Sequence, residues 1–144
     1  YNARVCGGSA SLPRISPDGR WLLFTWAECN AFPIQHPESS LFLGDLTTPK
    51  VSEPPQLISS EADTYHSWSS NGRWIVFASR RKDGRVTRLY IAAFSNGQFG
   101  RPFLLPQRYP AEDVLRRYSY NVPELLKGKI KTDKDEMARL LQSP

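Results

Sequence analysis

Two histidines, two cysteines and a set of acidic turn residues are the side chains here whose types can do chemistry. His36 and His66 titrate nearest neutral pH and can carry protons or ligate a metal. Either task needs further groups converging on the ring. His36 sits between Pro33 and Pro37, and no spacing around it supplies a second ligand. His66 stands in Tyr65-His66-Ser67-Trp68, ahead of a turn. Serines are numerous, but none lies in a G-x-S-x-G elbow, and no HExxH or phosphate-cradling glycine loop is present. Cys6 and Cys29 stand in no CxxC pair; they allow one disulfide or two separate thiols. No cofactor is therefore expected.

The elements that would position these groups come from an internal repeat. Ile15-Ser16-Pro17-Asp18-Gly19-Arg20-Trp21-Leu22-Leu23-Phe24 matches Trp68-Ser69-Ser70-Asn71-Gly72-Arg73-Trp74-Ile75-Val76-Phe77, with Gly19 and Gly72 53 positions apart. Leu41–Leu46 then matches Leu89–Phe94, and Pro55–Ile58 matches Pro102–Leu105, in the same order. The offset shrinks along the chain, so the length differences lie in the connections. Each unit reads as four strands: 13–16, 21–26, 41–46 and 56–59, then 65–69, 74–79, 87–94 and 102–105. Asp18-Gly19, Asn71-Gly72 and Asp83-Gly84 mark turns, because Asp, Asn and Gly tolerate positive φ. Ser95-Asn96-Gly97-Gln98 marks another. The segment from Glu28 to Ser39 holds two prolines and reads as a loop. The run Trp74-Ile75-Val76-Phe77-Ala78 is apolar throughout, as in a strand covered on both faces.

Four-stranded repeats of this length, stacked face to face, build β-propellers. The expected fold is mainly β: two four-stranded antiparallel propeller blades with a short α-helical C-terminal tail. Its divisions are a leading segment over 1–12, blades over 13–60 and 61–107, and a tail over 108–144. The innermost strand of each blade would line a central channel, placing Arg14, Tyr65 and His66 near its mouth as binding residues. The other reading of His66 is a ring hydrogen-bonded between the blades.

Ser16-Pro17-Asp18-Gly19-Arg20-Trp21 resembles the turn of the WD40-like, or TolB-type, propeller repeat, and His66–Phe77 looks like a second copy. Ser79-Arg80-Arg81, Thr87–Tyr90, Pro102–Pro106 and Tyr120–Leu125 resemble the C-terminal end of bacterial TolB-like proteins. The resemblance spans about residues 10–130 and implies a periplasmic or secreted location, with a protein or peptide partner, and a glycan as a further option. It also admits another reading, the propeller portion of a hydrolase or pectin-fragment lyase. The second copy departs from the pattern, with Ser70 for Pro and Asn71 for Asp. Asn keeps the turn geometry but lacks the charge that would hold a cation, so no metal is assigned.

The sequence carries 40% hydrophobic and 23% charged residues, a globular balance, with 12% aromatic residues that suit sheet packing. The formal net charge of +5 is spread along the chain, and no zinc-finger, helix-turn-helix or RNP pattern accompanies it, so nucleic acid is not an expected partner. Arg80-Arg81-Lys82 reads as a solvated hairpin tip or a basic contact for an acidic partner. No apolar run is long enough for a membrane span. No signal peptide is visible, and Tyr1 in place of Met points to a longer parent. Two blades leave faces uncovered, so further blades or self-association are expected.

After Pro106 three short helices are expected. Ala111–Tyr118 has acids early and bases late. Pro123–Gly128 ends on a glycine. The third starts at Thr132 or Asp133, with Met137, Leu140 and Leu141 on its apolar side. The tail reads as a helical clasp or partner-docking segment, or as a tail packed on the blade.

Overall fold

The chain is described by a computed structural model covering residues 7–28, 31–111, 118–129, 131, 133, 135, 138 and 139. The first sheet is β1 (Ser9–Ile15), β2 (Trp21–Ala27), β3 (Ser40–Asp45) and β4 (Lys50–Ser52), paired antiparallel in chain order. The second is β5 (Asp63–Trp68), β6 (Trp74–Ser79), β7 (Arg88–Ser95), β8 (Gln98–Phe99) and β9 (Phe103–Leu104). Both β8 and β9 pair antiparallel with β7, at Phe94↔Phe99 and Ile91↔Phe103. They form one lane interrupted near Pro102, which has no N–H to give a ladder. The fold is thus the expected mainly β pair of meanders. The first begins at Ser9, inside the segment assigned to the leader.

The repeat holds at the level of single hydrogen bonds. In the first turn Ser16 Oγ donates to Asp18 Oδ1 at 2.5 Å, and Asp18 Oδ1 also accepts from Arg20 N at 3.1 Å. Trp21 N donates back to Ser16 Oγ at 2.9 Å. In the second turn Ser69, Asn71, Arg73 and Trp74 make the same three bonds at 2.8, 3.0 and 3.0 Å. Asp and Asn are interchangeable here because each supplies the one acceptor that the turn uses. Gly19 and Gly72 adopt φ of 75° and 66°, a region that costs other residues a Cβ clash. At Asn96-Gly97 both residues have positive φ, 49° and 81°, as a two-residue hairpin with the sheet's twist requires.

A second repeated feature is a bulge in each innermost strand. The register slips between Ser11 and Arg14 in β1 and between Thr64 and Ser67 in β5. Leu12 and Tyr65 carry it at φ 54° and 45°, again 53 positions apart. A bulge re-aims the side chains that follow it.

Alternation along the strands divides each sheet into two faces. Trp21, Leu23, Leu41 and Leu43 of the first sheet pack against Trp68, Ile75, Phe77, Tyr90, Ala92 and Phe94 of the second. Trp68 and Phe94 meet edge to face, with centroids 4.9 Å apart. Around this core Thr25 and Thr64 hydroxyls pair at 3.1 Å, and Trp68 Nε1 donates to the Arg14 carbonyl at 3.2 Å. The two sheets therefore share one core.

Three expectations are corrected. The fourth strand of the first sheet is Lys50–Ser52, not 56–59. Pro54 and Pro55 offer no N–H for pairing, and the chain turns there with Leu57 N bonded to Pro54 O at 2.9 Å. Leu57 serves instead as a buried plug in the shared core. Pro123–Gly128 is not helical; Glu124 is drawn onto the two innermost strands, and Val122 stands at φ 51°. Arg81 is no solvated tip. Its guanidinium reaches Leu57 O and Asp63 Oδ1, both at 2.9 Å, and lies over the rings of Phe77 and Tyr90.

Cys6 and Cys29, read as one disulfide or two separate thiols, lie outside the described residues, as do most of the first expected tail helix and the apolar side of the third. Pro110, Ala111, Asp135, Ala138 and Arg139 are helical. Asp133 Oδ1 accepts from Asp135 N at 2.9 Å, as a helix-capping acid does.

Candidate binding sites

The three residues expected at a channel mouth go to different places. The bulge at Tyr65 sends its ring against the cluster of Ile34, Ala62, Ala78 and Leu89. His66 points the other way and is 3% exposed between the sheets. Its Nε2 lies 2.9 Å from the Leu23 carbonyl. A carbonyl only accepts, so Nε2 carries the proton and Nδ1 is bare. No partner for Nδ1 lies among the described residues. Burial pushes the imidazole down to about 4, so the ring is neutral at pH 7. His66 thus joins the two blades across β2 and β5.

Arg14 stays at the rim, where its guanidinium meets Glu124 at 2.6 Å. The other oxygen of Glu124 accepts from Ser67 Oγ at 2.8 Å. Arg14 belongs to β1 and Ser67 to β5, so one tail carboxylate ties the innermost strands of both blades. The sequence offered no signal for this role beyond a lone acid in the Tyr120–Leu125 segment. His36 in the loop has Nε2 3.0 Å from the Ala31 carbonyl and Nδ1 3.3 Å from Glu38 Oε1.

The turn residues are spent on structure. Asp18 is held below its ordinary carboxylate value by the Ser16 hydroxyl and the Arg20 N–H. Asp83 is also lowered, by Arg88 at 2.8 Å and by the Val86 and Arg85 N–H groups. Asp63 is raised by burial, against the pull of Arg81. Among the described residues no three His, Cys, Asp or Glu side chains gather as a metal site. No helix among them is long and apolar enough to cross a membrane.

A cavity of about 330 Å³ opens between the second sheet and the tail. Leu89, Leu105, Pro106 and Pro110 form apolar walls, with Tyr118 and Tyr120 on the tail side. Tyr120 N donates to Thr87 O at 3.0 Å and fixes the tail there. Lys82 and Arg88 stand at the cavity's basic edge. Arg88 is engaged by Asp83, whereas Lys82 is exposed and makes no ion pair among the described residues. Spacing could not reveal this site, since its members lie far apart in the chain.

Stacked antiparallel meanders joined by one core define a propeller-like chain. No protein-family model matches it, and no curated protein does. Among solved structures a prolyl endopeptidase is similar, at 18% identity and a TM-score of 0.36. The match takes in 73% of this chain and 22% of that one, so this chain spans about a fifth of the other's length.

Proposed function

We propose that this chain is a non-catalytic propeller segment of a TolB-like envelope protein, periplasmic or secreted, that binds a protein or peptide partner. The cavity beneath Tyr118 and Tyr120 carries the reading. Apolar and aromatic walls beside a cation suit a peptide with a bulky apolar side chain next to a carboxylate. Tyrosine rings give contact area at low conformational cost, and Lys82, which makes no ion pair among the described residues, adds a charge that attracts the acid. Support for a binding role also comes from the polar residues: His66, Asp63, Arg81, Ser67 and Glu124 spend their hydrogen bonds on joining strands and tail.

The test is a titration of labelled peptides in which an aromatic residue precedes either a glutamate or a glutamine. The glutamate peptide binds more tightly, and salt narrows the gap. Lys82→Glu weakens that peptide on the order of tenfold and leaves the glutamine peptide nearly unchanged. Equal binding of the two peptides, with no effect of Lys82→Glu, defeats the proposal.

A further inference from the structure

Arg14 and Ser67 are the same position of the repeat, 53 residues apart. Each pairs with its blade's second strand directly after the bulge, Arg14 with Leu23 and Ser67 with Val76. The left-handed residues Leu12 and Tyr65 stand two places before them, so the same bulge aims both positions. Both side chains meet one carboxylate. Arg14 donates to Glu124 Oε1 at 2.6 Å, and Ser67 Oγ donates to Oε2 at 2.8 Å. Blades of a propeller pack face to face around an axis, and their innermost strands line it. Equivalent positions of successive blades therefore gather at the mouth of the axis. Further blades in the ring leave that place open, because they cover faces and not the axis.

This tie differs from the others between the blades. The Thr25–Thr64, His66–Leu23 and Trp68–Arg14 hydrogen bonds are made by buried side chains, and none involves the tail. They also fix the frame of the site: Trp68 Nε1 grips the Arg14 carbonyl at 3.2 Å, and Ser67 is the residue before Trp68 in β5. The Arg14–Glu124 pair is half-exposed, with side chains 52% and 46% accessible, and ion pairs so open hold weakly. Strain works against the tie as well. Val122, two residues before Glu124, is exposed at φ 51°, a region that β-branched side chains avoid. Ser67 Oγ also lies 3.5 Å from Leu125 N. The site thus receives an acid together with the backbone N–H that follows it, a pair that any acidic residue within a peptide supplies.

We propose that Arg14 and Ser67 form a binding site for an acidic residue of a peptide partner, and that Glu124 fills this site from within until the partner's carboxylate displaces it. The step is an exchange of hydrogen bonds: both donors pass from one carboxylate to another, so neither is left bare. The tethered Glu124 competes at an effective concentration on the order of millimolar. A single acid therefore displaces it only in excess, and a natural partner adds contacts of its own. The site is separate from the cavity beside Lys82 and shares with the proposed function only the class of partner.

The probe is a Gly-Glu-Gly tripeptide blocked at both ends, with Gly-Gln-Gly as its uncharged twin. The full chain and its Glu124→Ala variant are titrated with each, and the Arg14 side-chain and Ser67 amide signals in NMR read binding. Glu124→Ala binds the glutamate peptide about tenfold or more tightly than the unmodified chain does, and the glutamine peptide moves neither signal. Adding Arg14→Gln to Glu124→Ala removes the binding. In the unmodified chain, a large excess of the glutamate peptide speeds hydrogen exchange at Glu124 and Leu125. Should Glu124→Ala fail to fold, Glu124→Gln carries the same titration with a smaller gain. Equal affinity with and without Glu124 overturns the inference, as does binding that survives Arg14→Gln. Saturation of the unmodified chain with no change in tail exchange overturns the displacement. None of these results touches the cavity beside Lys82, because the probe has no apolar side chain to fill it.

Discussion

Trp21 and Trp74 follow the same turn, begin the second strand of their blades and occupy the same kind of face. Trp21 is sealed by the other blade, to the point that a Cβ on Gly97 would sit 2.5 Å from its ring. Trp74 instead borders an open space shared with Leu125 and Leu126 of the tail and stays 38% exposed. The same contrast holds one strand inward, where Trp68 is 8% exposed and its first-blade counterpart Ile15 is 60% exposed. Local chemistry is thus copied between the blades while their environments are not. A blade's sequence specifies its turns and strands; what covers its faces is decided by its neighbours.

The largest expected effect sharpens that contrast. Trp21→Ala opens a cavity in the shared core and costs about 3–5 kcal/mol. Trp74→Ala removes the equivalent ring from a half-covered face and costs about 1 kcal/mol. Urea unfolding of the two variants measures both values. Equal costs would mean that the tail seals its face as well as a blade does.

Much of this architecture was legible before any coordinates. The Asp-Gly and Asn-Gly signals located both repeated turns, and the offset of 53 placed the strands around them. The bulges were not legible, because Leu12 and Tyr65 give no hint of positive φ; tertiary packing holds them there. The stretch 56–59 does not pair because Pro54 and Pro55 ahead of it supply no N–H for a ladder, whereas the second blade has Arg101 and Pro102 at the matching place. The helix expected at Pro123–Gly128 failed because its pattern did not record the pull of Arg14 and Ser67 on Glu124. Arg81 looked like part of a basic hairpin tip, yet Asp63 and two aromatic faces hold it inside. The candidate cavity assembles residues from β7, β9 and the tail, which no short motif can announce.

The next effect separates the blades by pH. His66 titrates inside the joint, and its first-blade counterpart is Pro13, which cannot. The folded ring has its value lowered to about 4 from an unfolded 6.5. Below pH 6.5 the unfolded chain takes up a proton that the folded chain refuses until about pH 4. Stability is therefore full above 6.5 and falls as pH drops toward 4. At pH 4.5 the loss is about 2 kcal/mol relative to pH 7. His66→Gln keeps an N–H for the Leu23 carbonyl but does not titrate, so its stability changes less over that range. Parallel curves for the two proteins would remove His66 from the account.

A smaller effect concerns the bulges. Leu12 is partly exposed, and its left-handed backbone is relieved by glycine, so Leu12→Gly changes stability by less than about 1 kcal/mol in either direction. Tyr65→Gly relieves the same strain but empties a place beside Ile34, Ala62 and Leu89, and costs about 2 kcal/mol. Thermal unfolding of the pair measures the difference, and a reversed order would show that the bulges are not equivalent.

The smallest effect tests the repeated turn itself. Asp18 and Asn71 accept the same two hydrogen bonds, so exchanging them preserves the geometry and alters only a charge. The folded value of Asp18 is lowered, so its ionised form stabilises the fold above the ordinary carboxylate value of 3.8. That contribution disappears as pH falls through the folded value. Asp18→Asn should therefore lower the midpoint of thermal unfolding slightly at pH 7, and Asn71→Asp should raise it slightly, because Ser69 and Arg73 N stand ready for a carboxylate. Both shifts should fade together in acid. Opposite signs of similar size would show that the two turns are one device used twice. A loss of stability in Asn71→Asp would mean that the second turn has come to need a neutral side chain.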